Sequence, residues 1–183
     1  INDSKSIFEP ESYNTIKSTT NGTITTLTAG SMAVDYTAGN NYWNISFKKN
    51  NGETFTLSSD NLIFGYESSG FRNNITYIGD LGTDEIIYGS GQRFNGFALN
   101  GKDFLLWNTD GYGTSDETLV RSLSYANVPI FHSSTGYSIY FNSYYQGKAD
   151  IGKTDSSKYT VSIDNGRVLD IFLWNSSPIE NIK

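Results

Sequence analysis

Along Trp43-Asn44-Ile45-Ser46-Phe47 apolar and polar side chains alternate, and after Asn51-Gly52 the chain resumes with Thr54-Phe55-Thr56-Leu57. Alternation of period two puts every second side chain on one face of an extended segment, the mark of a strand half-buried on a core. Asn-Gly tolerates the positive φ that a type I′ turn needs at both central residues, so the sequence predicts a tight hairpin at Asn51-Gly52. The same texture recurs along the chain. It predicts further strands over 23–28, 32–36, 75–78, 85–88, 104–107, 128–132, 137–142, 159–163 and 169–174, with a short helical turn near 116–120. Many short strands at close spacing, with scarcely any 3.6-residue periodicity, predict an all-β fold, an antiparallel β-sandwich or barrel. The 13 Tyr and 11 Phe agree with this, since aromatic side chains suit a pleated, half-buried surface.

At 183 residues the chain fits one domain with a sizeable core, and no fixed-period repeat or linker-like shift divides residues 1–183. The Ser, Thr and Asn texture of the first thirty residues is expected to include a disordered start. The net charge is −6 with no basic block, which argues against nucleic acid as a partner, because phosphate binding draws on clustered Lys and Arg. No stretch approaches the roughly 20 apolar residues of a membrane helix, so no membrane partner is expected. Cysteine is absent, which excludes disulfides and thiolate metal sites. Starting at Ile1 and stopping at Lys183, the chain reads as a trimmed or mature fragment. Sequons at Asn21, Asn44, Asn74 and Asn175 suit a secreted or cell-surface chain where the source glycosylates such proteins.

The inventory for catalysis is poor. His132 is the only histidine, and no Gly-x-Ser-x-Gly elbow exists to complete a Ser-His-Asp triad around it. The acids Asp84, Glu85, Asp110, Asp116 and Glu117 are scattered, and neighbours on a strand point to opposite faces, so no carboxylate pair can be read from them. Gly89-Ser90-Gly91 does not open a helix as a phosphate loop would, and tight backbone packing is the expectation there. Gln92 and Arg93 read as structural, Arg93 bracing a neighbouring loop through its planar donor fork. Trp107 and Trp174 are expected inside the domain or at a domain interface, Tyr144 and Tyr145 exposed beyond a strand end. The residues therefore assign no catalytic group, no metal site and no cofactor.

One run carries more. Glu85-Ile86-Ile87-Tyr88-Gly89-Ser90-Gly91-Gln92-Arg93-Phe94-Asn95 is followed by Gly101-Lys102 and Leu106-Trp107-Asn108-Thr109-Asp110. A glycine-punctuated turn carrying Gln and Arg thus precedes a strand that ends in a polar loop with an acid at its tip, and loops on a rigid sheet are where function concentrates. Then come Val128-Pro129-Ile130-Phe131, Gly136-Tyr137-Ser138-Ile139-Tyr140-Phe141-Asn142, the closing Leu169-Asp170-Ile171-Phe172-Leu173 and the tail Ser177-Pro178-Ile179-Glu180. In this order the motifs resemble the N-terminal β-sandwich domain of glycoside hydrolase family 31, the α-glucosidase and α-xylosidase family. The likeness runs from Glu85 to the last residue, and ahead of Glu85 only the strand-rich texture agrees.

The resemblance implies a galactose-mutarotase-like sandwich that is itself non-catalytic and belongs to a retaining α-glycosidase. Its partners would be its own catalytic (β/α)8 barrel, absent from this chain, and an α-linked oligosaccharide or glycoside. The family's catalytic aspartates lie in that barrel and match no position here. On the resemblance, the loop from Asn108 to Gly113 reaches the sugar pocket. Asp110 would accept hydrogen bonds from two sugar hydroxyls there, with Asn108 and Tyr112 beside it as further substrate-binding residues. A plainer role for Asp110 is to cap the turn at Gly111. Two rival readings are a free-standing carbohydrate-binding module and, weaker, a mutarotase or epimerase, which would need a positioned acid and base. A domain built to pack on a barrel is expected to carry one unusually apolar, aromatic surface.

Overall fold

The computed structural model describes residues 16–29, 32–40, 42–49, 52–66, 73–94, 96–110, 123–164 and 169–175. Its strands pair antiparallel in four sheets. The first is a meander of β1 (Lys17–Asn21), β2 (Ile24–Ala29), β3 (Met32–Ala38), β4 (Trp43–Lys48) and β5 (Thr54–Ser58). In the second, β6 (Leu62–Tyr66), β7 (Asn73–Asp80), β10 (Lys102–Leu106), β14 (Gly147–Ile151) and β15 (Lys158–Asp164) lie in the order β10-β14-β15-β7-β6. The third orders β8 (Ile87–Gly89), β12 (Ile130–Ser133), β13 (Tyr137–Phe141) and β16 (Ile171–Trp174) as β16-β13-β12-β8. The short β9 (Gln92–Arg93) pairs with β11 (Ser124–Ala126). Among the described residues the helical content is one 3-10 turn, Ser59–Asn61. The helical turn expected near 116–120 lies outside the described residues.

The period-two reading of the sequence becomes burial. Along β15 exposure alternates strictly, with Tyr159, Val161 and Ile163 inward. Each such side chain contributes about 1.5–3 kcal/mol by leaving water. Ring contacts join the three large sheets into one core. Phe55 of the first sheet meets Tyr137 of the third with centroids 4.8 Å apart, and Tyr77 of the second meets Phe141 of the third at 5.5 Å. The expected sandwich is thus what forms.

The first sheet is buried only at one end. The cross-strand row Leu27, Val34, Phe47 and Phe55 runs from 40% exposed at Leu27 to 6% at Phe47, and all of β1 is exposed. Lys-Ser-Thr-Thr-Asn in β1 offers no apolar side chain, so its ladder to β2 carries it and no alternation announces it. β14 also escaped the pattern, because two of its three inward residues, Gly147 and Ala149, are small.

The β4–β5 hairpin forms, with Lys48 paired to Thr54. The Lys49 N–H donates to Glu53 O at 2.8 Å and the Gly52 N–H to Lys49 O at 2.9 Å, with Gly52 at φ +85°. The closure therefore spans three residues, one more than a two-residue type I′ turn, and Gly52 supplies the positive φ. Asn51 lies outside the described residues.

Inside the core sits a polar knot. The Tyr159 hydroxyl lies 3.2 Å from those of both Tyr77 and Tyr137. Buried Glu85 accepts from the Gly82 N–H at 3.0 Å and from the Ser133 hydroxyl. Burial pushes all three phenols well above their ordinary pKa, so they stay neutral and serve as donors and acceptors. Glu85 is thus spent on internal hydrogen bonds.

Candidate functional site

The site grows from a backbone feature. Gly89, Ser90 and Gly91 take φ of +114°, +64° and +77° in succession. A Cβ on Gly89 would stand 2.4 Å from the Ile130 carbonyl oxygen, and one on Gly91 2.0 Å from that of Ala126. Only glycine permits both the conformation and the approach. This is the tight packing expected of the segment, and the chain after it enters the two-residue β9 rather than a helix.

Arg93 follows and fills the space the turn encloses. Its Nε donates to Ser90 O at 3.0 Å and Ser90 Oγ at 3.1 Å, and its Nη2 to Leu105 O at 2.6 Å and to Asn127 Oδ1. The guanidinium also lies 4.2 Å from the centre of the Phe104 ring. Burial lowers its pKa to about 10, which leaves it cationic at neutral pH. Arg93 therefore clamps the glycine turn, the end of β10 and the β11–β12 connection together, the bracing role its fork suggested.

The loop after β10 hangs on that clamp. Asn127, held by Arg93, donates its N–H to Asn108 Oδ1 at 2.6 Å. The Thr109 N–H donates to Ser124 O at 2.9 Å, and the Ser124 hydroxyl to Gln92 O at 2.8 Å. Asp110 is exposed, and its Oδ1 accepts from the Tyr125 hydroxyl at 3.1 Å. The structure thus brings Asn108 and Asp110 to one rim, with Asp110 oriented from β11. Tyr112, Gly111 and Gly113 lie outside the described residues. Tyr125 and Asn127 were missed in the sequence, where no motif marks them; only the pairing of β11 with β9 places them beside the loop.

Beside the rim lies an open cleft of about 300 Å³ between Trp107-Asn108, Asn127-Pro129 and Ser143-Tyr144-Tyr145, floored by Leu106. Tyr144 and Tyr145 are exposed, as expected. Trp107 is not inside the domain: 46% of it is exposed, because the strand ends at Leu106 and Trp107 lines the open cleft. Trp174 is also outside the core, 37% exposed.

Trp174 belongs to a second surface, the outer face of the third sheet. One cross-strand row there contains Trp174, Ser138, His132 and Tyr88, and the next contains Phe172, Tyr140 and Ile130. Exposed Phe97 stacks on Tyr88 with centroids 5.1 Å apart. His132 Nδ1 lies 2.7 Å from Ser138 Oγ, and burial lowers its pKa below the ordinary value. This is a structural histidine in an aromatic row. Among the described residues no three His, Asp or Glu side chains gather as metal ligands.

Residues 2–150 match the glycosyl hydrolase 31 N-terminal galactose mutarotase-like domain. The chain belongs to that family. The match spans the glycine turn, the Arg93 clamp and the Asp110 loop, and it starts well ahead of Glu85, where strand texture alone had spoken. An α-xylosidase of Emericella nidulans is 32% identical over 104 residues, covering 57% of this chain and 13% of the relative. The α-xylosidase XylQ of Lactiplantibacillus pentosus is 31% identical over 100 residues, covering 55% of this chain and 12% of the relative. This family 31 domain therefore spans about an eighth of the length of those relatives. Among solved structures, a Flavobacterium johnsoniae GH31 dextranase complexed with isomaltotriose superposes with a TM-score of 0.64 at 15% identity, over 89% of this chain and 19% of that one. A cycloalternan-forming enzyme from Listeria monocytogenes in complex with a pentasaccharide substrate gives 0.64 at 17%, over 89% and 16%. At these identities the likeness establishes the fold.

Proposed function

We propose that this chain is the non-catalytic N-terminal sandwich of a retaining α-glycosidase, packed on a catalytic barrel and lending the 108–113 loop to the sugar pocket. The observation that carries the reading is Asp110, an exposed carboxylate held by Tyr125 on a loop braced from behind by Arg93 and Asn127, inside the family match. A carboxylate so placed accepts hydroxyl hydrogen bonds without reorganising, which favours a positioning role over chemistry. The aromatic outer face of the third sheet supports the packing, because half-exposed Tyr88, Tyr140 and Phe172 with exposed Phe97 and Trp174 gather apolar surface that favours a covering partner. Both relatives named above are α-xylosidases, which favours an α-xyloside among α-linked substrates.

Alone, the chain is expected to hydrolyse no aryl α-glycoside and to leave the anomer exchange of glucose and galactose unaccelerated. In the enzyme that joins it to a barrel, Asp110→Ala is expected to lower kcat/KM by the equivalent of about 1–3 kcal/mol, the loss of hydrogen bonds to a charged acceptor. Unchanged kcat/KM in that variant would reduce Asp110 to a turn residue.

A further inference from the structure

The cleft beside the rim presents three rings, those of Trp107, Tyr144 and Tyr145, that the Asp110 reading does not use. Trp107, Tyr144 and Tyr145 are 46%, 71% and 53% exposed, so three large rings stand in water within one concavity. Between them are the amides of Asn108 and Asn127 and the hydroxyl of Ser143. Among the described residues the lining carries no Lys, Arg, His, Asp or Glu, although the chain as a whole has a net charge of −6. Such a wall offers a charged ligand no counter-ion, and it suits a neutral ligand that has both flat apolar faces and many hydroxyls.

The walls are also held in place. Asn108 and Asn127 are fixed to each other and to Arg93. Phe141 N–H donates to Pro129 O at 3.0 Å, which ties the β11–β12 connection to β13. The loop bearing the two tyrosines is pinned at both ends, since Asn142 N–H donates to Asp170 O at 2.9 Å and Asp164 N–H to Gln146 O at 2.8 Å. Inside it, the Tyr145 N–H donates to Ser143 Oγ at 3.2 Å. A cleft whose walls need little ordering gives up less affinity on binding. At about 300 Å³ it sits at the lower end of small-molecule sites, roughly 300–1,000 Å³, room for a short segment of a longer ligand.

We propose that the Trp107, Tyr144 and Tyr145 cleft is a binding site for a short neutral oligosaccharide, stacking pyranose faces on its rings and pairing hydroxyls with the amides of Asn108 and Asn127. The site stands on this chain alone and does not depend on Asp110 touching sugar.

The test is a titration of this chain with isomaltotriose, maltotriose and cellotriose, followed by the indole N–H resonances of its three tryptophans and by the amide resonances of Asn108 and Asn127, which also report binding in the Trp107→Ala variant. The Trp107 resonance shifts saturably with at least one of these sugars in the millimolar range, while those of Trp43 and Trp174 stay in place. Tyr144→Ala, a change on an exposed loop, weakens that binding by about tenfold or more, and Trp107→Ala abolishes it with the remaining amide spectrum dispersed as in the unmodified chain. Asp110→Asn leaves it within about twofold. No saturable Trp107 shift at tens of millimolar with any of the three sugars overturns the site. Binding that is lost in Asp110→Asn but kept in Trp107→Ala and Tyr144→Ala also overturns it, and would assign the sugar to the Asp110 loop instead.

Discussion

The Tyr125 hydroxyl donates to Asp110 Oδ1 across 3.1 Å, so the acid at the tip of the β10 loop takes its orientation from β11. The bond is exposed and adds little to folding, which makes it a handle on function separate from stability. Asp110→Ala is expected to leave the stability of this chain within about 0.5 kcal/mol. Tyr125→Phe, in the enzyme carrying the barrel, is expected to cost about 1 kcal/mol in kcat/KM, less than Asp110→Ala, because the acceptor remains and only its orientation loosens. Kinetics and thermal melts on the two variants check the order. An Asp110→Ala protein that unfolds would mark a structural cap.

Arg93→Lys is expected to destabilise the chain by about 2 kcal/mol, or roughly 4–8 °C in Tm, although charge is conserved. Lysine has no planar fork to reach Ser90, Leu105 and Asn127 together or to lie against Phe104. Equal melting temperatures for the two proteins would remove the clamp from the account.

Gly22 and Gly91 separate conformation from crowding. Gly22 has φ +62° and nothing within 4 Å of an added Cβ, whereas Gly91 has φ +77° and the Ala126 oxygen at 2.0 Å. Gly22→Ala is expected to cost about 1–2 kcal/mol, the backbone term alone. Gly91→Ala is expected to exceed about 3 kcal/mol by chemical denaturation, since backbone must move as well.

His132 sets a pH dependence. Burial holds its folded pKa below the ordinary 6.5, so between those two values the unfolded chain binds a proton that the folded chain refuses. Its contribution is intact above about pH 6.5 and stability falls as the pH drops through that window. Melts of the unmodified chain and of His132→Gln should therefore differ more at about pH 7.5 than at about pH 5.5, with the unmodified chain losing more on acidification. A pH-independent difference between the two would contradict this.

Much of the fold is legible from neighbouring residues. Alternation around β4, β13 and β15 names their inward faces before any partner is known, because period two is a property of the extended backbone itself. The requirement for glycine at Gly89 and Gly91 is written locally too, and the order of short motifs from Glu85 to the last residue pointed at the family. Strands without an apolar stripe, β1 and β14, were invisible for the same reason: their evidence is a ladder to another strand.

What the tertiary structure decided is everything that depends on which strands stand side by side. Glu85 reads in sequence as the first residue of a strand and one of several scattered acids; the pairing of β8 with β12 brings Ser133 to it, and the acid becomes part of the core. Tyr125 and Asn127 become supports of the Asp110 loop only through the β9–β11 pairing. Trp107, a residue type that most often fills a core, ends at the surface because Tyr144 and Tyr145 wall a cleft beside it rather than closing over it. Local periodicity tells a side chain which face it is on. Only the sheet order says what that face meets, since contacts across long sequence separations are set by the joint burial of all the strands and not by any one of them.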